Sequence, residues 1–528
     1  MYKLLHQRIR SVEANGAQHL LKNSLTGLEK ESLRVGNDGR ISQRPHPKQL
    51  GSALKNDWIT TDYSEALLEL ITPPCDRAYK SLDFLQDIES FVYQKLDDEL
   101  LWTSSMPCIV SGDKDIKIAE YGQSNSGRMK HVYRQGLAWR YGKMMQVIAG
   151  IHFNHSVAEE FWPVFQEIDQ VKGKQIDFSN DRYMGMTRNI QRYGWLIPYL
   201  FGCSPAICRS FLGKNAPPPD TMKVYNENTY YEQWGTSLRM GDIGYTNRKS
   251  SKVGIKADYS SVKSYTDSLR KAIETPYKPY EEIGIEVAGE YRQLNANILQ
   301  IENEYYSTVR PKQILQGFEK PIDALLRRGV RYVELRSVDI NAFHPAGISH
   351  RQLFFLEVFM LFCLLQESPL IDDAERKEID HNQSTVAHLG RKPGLELNRN
   401  GAPISLKNWG LELMDAMLPV AQLLDQIHSN TCYQTSLQQQ RQLFDNPALT
   451  PSAKVLDSMM TEHDSYYGFA RHQSQQHREY FLQRKLTKET WERFSNKAAE
   501  SIAQQAALEA EPQIDFGKFL QQYFEGSL

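Results

Sequence analysis

Gly27-Leu28-Glu29-Lys30-Glu31-Ser32-Leu33-Arg34-Val35 sets two acids two positions apart inside a run that reads as a β-strand. In an extended chain residues i and i+2 leave the same side of the backbone, so Glu29 and Glu31 stand with Leu33 and Val35. That side is expected to be core. Neighbouring carboxylates taken out of water repel one another and lose hydration; they persist only if protons, bases or a metal ion neutralise them. The stretch therefore predicts a sheet that holds divalent cations.

Four further segments supply groups of the same kind. Thr60–Thr72 carries Asp62, and Glu69 sits within its apolar run. In Ile148–Ser156, alternation puts His152, Asn154 and Ser156 on one face and Ile151, Phe153 and His155 on the other. In Val330–Val338, Glu334 and Arg336 share a face, and Leu299–Tyr306, read as a strand, lines up Gln300, Glu302, Glu304 and Tyr306. Any one of these acids alone is more often a surface or salt-bridged group. A lone His152 is more often a hydrogen-bonded core histidine, and Arg336 beside Glu334 fits a buried structural pair. The number of acids flanked by Leu, Ile and Val tips the reading towards ligation. A carboxylate-dominated set with one imidazole favours Mg²⁺ or Mn²⁺ over zinc.

Other catalytic signatures fail. Gly122-Gln-Ser-Asn-Ser-Gly-Arg-Met129 has the glycines of a phosphate loop, but Arg-Met stands where Lys-Ser/Thr is required. There is no HExxH, no G-x-S-x-G and no GxGxxG after a strand. A nucleotide here has to be held through cations and arginines.

The 528 residues give ample material for a large core, and 41% hydrophobic with 24% charged residues is ordinary for a globular chain. The 62 basic and 64 acidic residues nearly cancel, which argues against nucleic acid or an anionic membrane as partner. The first 25 residues read as an amphipathic surface helix without the apolar run of a signal peptide. Leu353–Leu365, interrupted by Glu357, is too short to span a bilayer and reads as a buried helix. Six cysteines with no CxxC pair predict reduced thiols and a cytoplasmic location.

Strands are expected at 28–35, 66–72, 146–156, 235–240, 293–306 and 331–338, and helices at 78–98 and 262–274. Asn215-Ala-Pro-Pro-Pro-Asp220 has to be a loop. After residue 350 helical spacing takes over, at 350–367, 409–428, 435–445 and 495–511. Strands early and helices late give an α+β chain. Residues 1–350 form the catalytic region and 351–528 a helical region packed on it.

GLEKESLRV (27–35), WITTDYSEALLELITP (58–73), LWTSSMPC (101–108), YGQSNSGRMKHVYRQGL (121–137), YLFGCSPAIC (199–208), TSLRMGDIGYTN (236–247), LQIENEYYSTVRPK (299–312) and RYVELRSVDINAF (331–343) resemble, in order, the blocks of proteobacterial-type glutamate–cysteine ligases. The resemblance spans most of residues 20–400 and thins towards the C-terminus. It implies a glutamine-synthetase-like fold with a curved antiparallel sheet around the site. It also implies ATP-dependent joining of L-glutamate to L-cysteine through a γ-glutamyl phosphate, the first step of glutathione biosynthesis. Its metal ligands fall on Glu29, Glu31, Asp62, Glu69, His152 and Glu334, its phosphate-contacting arginine on Arg336, and its glutamate-binding arginine on Arg239. The cysteine pocket corresponds to Tyr133, Leu137, Ile148, Tyr245 and Tyr306. An acyl phosphate needs shielding from water, and the Gly, Ser and Asn content of 122–130 and 241–250 marks those stretches as candidate closing loops. A ligase with another amine acceptor, or a metal-dependent hydrolase, remains an alternative on the residues themselves. Oligomeric state is not legible.

Overall fold

The structure, a computed structural model, describes residues 2–213, 218–244 and 256–528. Its centre is a seven-stranded sheet. The strands are β1 (Leu25–Val35), β2 (Ile59–Thr61), β3 (Leu67–Ile71), β4 (Leu100–Leu101), β5 (Ile151–Ser156), β6 (Val309–Lys312) and β7 (Tyr332–Val338). Their order is β6-β7-β5-β1-β3-β2, with β4 paired to one end of β1. Every pairing is antiparallel. Among the helices are α1 (Lys3–Ala14), α2 (Ala78–Tyr93), α3 (Asn125–Tyr141), α4 (Val262–Glu274), α5 (Pro321–Arg328), α6 (His350–Leu365), α7 (Leu406–His428), α8 (Cys432–Asp445), α9 (Lys488–Ala510) and α10 (Phe516–Glu525). The α+β class holds.

Register gives the two faces of the sheet opposite characters. Leu28, Leu68, Leu70, Ile151, Phe153, Val333 and Leu335 all point one way and are fully buried. Helix α2 packs on β1 and α6 on β5. α6 starts at a reciprocal cap, in which Ser349 Oγ accepts from Gln352 N and the Gln352 side chain accepts from Ser349 N. It is apolar nearly all round because it lies between the sheet and α7 and α8. The helices from α6 to α9 share one continuous hydrophobic core with the sheet, whereas α10 belongs to a separate small cluster.

Several expectations change. The acids do share a side with Leu33 and Val35, both 1% exposed and part of the main core, yet α2 and α6 pack on the opposite face of the sheet. Residues 293–306 form no long strand. Asn295 Nδ2 donates to Gln300 O, Leu294 N donates to Gln300 Oε1, and Gln300 N donates to Glu304 Oε2. These side chains take the backbone groups that a ladder would use. Glu302–Glu304 is a 3₁₀ turn, so Gln300, Glu302, Glu304 and Tyr306 do not line one face. Residues 235–240 form turns, with a single bridge between Ser204 and Ser237. The stretch 122–130 is mostly the first turns of α3, capped by Ser124, which accepts from Gly127 N. The proline-rich 215–220 and the loop 241–250 fall partly outside the described residues. Cys108 and Cys208 are joined in a disulfide, against the expected reduced thiols; tertiary proximity across a separation of 100 residues brings them together, with Cα atoms 5.2 Å apart. Among the described residues no helix is long and apolar enough to cross a membrane.

Candidate active site on the polar face of the sheet

The face opposite α2 and α6 carries the acids. Glu29 of β1 lies across from His152 of β5, and Glu31 from Glu69 of β3. On the far side of β5, Glu334 pairs with Asn154. The β5–β7 register slips between Leu335 and Val338, so Arg336 and Ser337 share the space opposite His152. Such a bulge re-aims a side chain. Here Arg336 Nη1 donates to Glu334 Oε1 at 2.6 Å and sits 3.5 Å from His152 Nδ1.

Glu29, His152 and Glu334 each place a ligand atom within 4.8 Å of the others. His152 Nδ1 is 3.0 Å from Glu29 Oε2 and 3.3 Å from Glu334 Oε1, while its Nε2 is 3.7 Å from Glu31 Oε1. Glu31 is fixed from behind, its Oε2 accepting from Gly150 N at 2.7 Å. Asp62 follows β2, where its carbonyl accepts from Tyr121 OH and Arg134 Nε. Burial pushes the Glu31 carboxyl up. Burial, then repulsion from Glu29, Asp62 and Glu31, pushes Glu69 well up. Burial also opposes charge on Glu334, but Arg336, Lys312 and His152 outweigh it and hold that carboxyl well below its usual range. At Glu29 the His152 hydrogen bond overcomes burial in the same direction.

Two of these donors have spare capacity. His152 Nε2 and Glu334 Oε2 are buried without a hydrogen-bond partner, although Glu334 Oε2 lies 3.4 Å from Lys312 Nζ. Buried polar atoms normally find partners. A carboxylate-rich cluster with an imidazole and open lone pairs fits a hard divalent cation.

Arg239, 2% exposed, lies flat over Gly150, where an added Cβ would meet its guanidinium at 2.1 Å. Its Nη2 donates to Arg336 O at 2.7 Å. Asp339 stands behind it, 3.9 Å from Nη1, and accepts from Cys203 N, Ser204 Oγ and Ser237 Oγ. Ile148 and Leu137 are buried, and the Tyr306 hydroxyl pairs with the Gln146 side chain at 2.9–3.0 Å. Tyr133 projects from α3. Tyr245 lies outside the described residues.

Glu302 and Glu304 do not join the site. Glu304 is locked to Arg140 and Tyr141 at 2.9 and 2.8 Å, and Glu302 accepts from Ile322 N at the start of α5. Sequence reading missed Lys312 and Arg310 of β6, which stand beside Glu334, because the expected strand ended at residue 306 and left 309–312 unassigned. It also missed Asp339, whose role depends on segments far apart in the chain. Asn154, which donates to Glu29 Oε1 at 2.9 Å, was visible through its alternation with His152.

The profile of the glutamate–cysteine ligase family matches residues 9–386. The chain belongs to that family. It is 47% identical over 521 residues to the glutamate–cysteine ligase of Pseudomonas entomophila, covering 98% of this chain and 97% of that one. With the glutamate–cysteine ligase of Pseudomonas putida KT2440 it shares 48% over 524 residues, 99% of this chain and 98% of that one. The crystal structure of the Francisella tularensis glutamate–cysteine ligase in complex with AMP superposes with a TM-score of 0.89 at 35% identity, over 96% of this chain and 98% of that one. A bifunctional glutathione synthetase from Pasteurella multocida shares the fold at a TM-score of 0.70 and 24% identity, covering 94% of this chain and 58% of that one. The family profile ends at residue 386, whereas the full-length relatives match through the C-terminal helices.

Proposed function

We propose that this chain joins the γ-carboxylate of L-glutamate to the amino group of L-cysteine with consumption of ATP, the first step of glutathione biosynthesis, in the cytoplasm. The observation that carries this reading is the convergence of Glu29, His152, Glu334 and Arg336 on one polar sheet face in a member of the glutamate–cysteine ligase family. Residues 1–350 carry the chemistry, and 351–528 support it.

A carboxylate is a poor acyl electrophile and needs activation before an amine can displace anything from it. The γ-carboxylate of glutamate attacks the γ-phosphate of ATP, ADP leaves, and the amine of cysteine displaces phosphate from the γ-glutamyl phosphate. Glu29, Glu31, Asp62, Glu69, His152 and Glu334 hold Mg²⁺ or Mn²⁺. Cations bound there would supply positive charge against the phosphate oxygens. Arg336, anchored by Glu334 and burdened with little freedom, presents a fixed positive charge to the transferring phosphoryl group. Arg239, braced on Gly150 and by Asp339, orients the glutamate moiety. Tyr133, Leu137, Ile148, Tyr245 and Tyr306 form the wall of the cysteine pocket.

Incubation with ATP, magnesium, glutamate and cysteine tests the reading by following ADP and the dipeptide together. Equal release of both is expected, lost on chelation and restored by Mg²⁺ or Mn²⁺. Dipeptide formation without ATP, or ADP release indifferent to cysteine, would refute it. A largely apolar pocket separates close isosteres only about 10- to 200-fold, so 2-aminobutyrate is expected to turn over detectably.

A further inference from the structure

We propose that the C-terminal helix α10 and the end of α9 form a positioning clamp on α3, and so set the Tyr133–Leu137 wall of the acceptor pocket. The inference rests on the reading that α3 lines that pocket.

The first N–H groups of a helix have no partner within it. At α3 the C-terminal segment supplies a partner for one of them, Asn125 N, and also ties down the residues just before the cap. Gln123 N donates to Glu509 Oε1 at 2.9 Å and Asn125 N to Gln513 Oε1 at 3.0 Å, while Asn125 Nδ2 donates to Ile514 O at 2.8 Å. Ser124, the helix's own cap, covers only Gly127 N. The backbone at 122 is left-handed, which favours glycine, and the side chains of α9 come close over it. Its φ is +81°, and a Cβ there would meet Glu509 Oε1 at 1.9 Å and Gln505 Nε2 at 2.1 Å.

Beyond this junction α10 lays Phe516, Phe519 and Leu520 against Val132 of α3 and Leu294, with Met129, Tyr133, Tyr291 and Ile301 around them. The Arg128 guanidinium stacks 4.2 Å over Phe516. Leu294 and Ile301 belong to the irregular segment that leads to Tyr306. One helix therefore braces both the Tyr133 wall and the approach to the Tyr306 wall. This apolar cluster is separate from the main core, and Tyr133 packs against both. Loosening α10 is expected to release α3 without hollowing the core beneath the sheet. A misplacement of about 1 Å by a change far from the chemistry can cost up to about 10²-fold, which makes such bracing functionally visible.

The test uses the full-length chain with Phe516→Ala and Phe519→Ala combined, and Gln513→Ala as a milder variant. KM for cysteine, KM for ATP, the cysteine/2-aminobutyrate turnover ratio and amide exchange over residues 123–133 are measured. The double variant should raise KM for cysteine about ten-fold, narrow the turnover ratio, and keep KM for ATP within about two-fold. Exchange over 123–133 should quicken. Gln513→Ala should move the same quantities less, and it decides the matter if the double variant does not fold. Unchanged KM for cysteine and unchanged exchange in a folded variant overturn the clamp. So does a parallel rise in every KM, which is what general loosening gives. A parent chain without cysteine-dependent ADP release refutes the proposed function itself, a result distinct from a clamp that fails in an active parent.

Discussion

The two faces of the central sheet use buried charge in opposite ways, and β1 contributes to both. Lys30 and Arg34 point towards the core helices, where Lys30 pairs with Glu89 of α2 and Arg34 Nη1 donates to Glu99 at 2.9 Å. Arg34 also satisfies the carbonyls of Arg44, Pro45 and Glu65. Glu357 of α6 accepts from Thr26 Oγ1 at 3.1 Å and from Tyr433 OH at 2.9 Å. Each of these ionisable groups meets an opposite charge or hydroxyl donors. On the other face Glu29, Glu31 and Glu69 adjoin one another and Asp62, and repulsion adds to burial. The difference teaches how to read acids in apolar strands. Acids that meet only opposite charges or hydroxyl donors mark structure, and a cluster in which acids also adjoin other acids marks a place for something that arrives later.

Arg336→Ala attacks the polar face where the largest effect is expected. Turnover should fall about 10³-fold, with KM for ATP changing far less, because the guanidinium acts on charge that develops during transfer. Steady-state kinetics check this; an unchanged kcat assigns Arg336 to the structural pair with Glu334 instead. On the core face Lys30→Ala leaves Glu89 buried without its counter-charge. Stability should drop by about 3–5 kcal/mol in urea unfolding, with turnover per folded molecule retained. Replacing both partners by apolar residues should recover most of that loss. A loss of turnover at parental stability would blur the distinction between the faces.

Glu357 gives the smallest effect and a pH signature. Burial pushes its carboxyl up to about 7 from an ordinary value of 4.5. The folded chain keeps this proton between those values while the unfolded chain releases it. Stability from this group is therefore full below about pH 4.5, falls as pH rises towards 7, and is level above that. The fall amounts to about 3 kcal/mol at most, less where water reaches the group. Glu357→Gln should abolish that part of the slope, seen by comparing unfolding at pH 5 and pH 8. A parallel pair of stability curves would mean that Glu357 is ionised throughout.

Much of the site was legible because strand alternation is a local property. Glu29 with Glu31, His152 with Asn154, and Glu334 with Arg336 share faces as their spacing requires, and Leu353–Leu365 is the buried helix that its composition demands. The helix expected at 262–274 coincides with α4. Residues 293–306 were misread because branched and aromatic residues there coexist with Asn and Gln side chains that capture the backbone. The segment 235–240 was misread because its shape is imposed by Asp339 and by the Ala387 carbonyl, which accepts from Thr236 N and Ser237 N.

The sequence by itself determined which residues are acidic, which share a face, and which family the chain joins, since periodicity and block order need no partner segment. Only the tertiary structure decided which face of β1 meets the core helices, where the β7 bulge aims Arg336, that Cys108 finds Cys208, and that the last helix grips α3. Those outcomes depend on packing between segments far apart in the chain, and no local spacing encodes them.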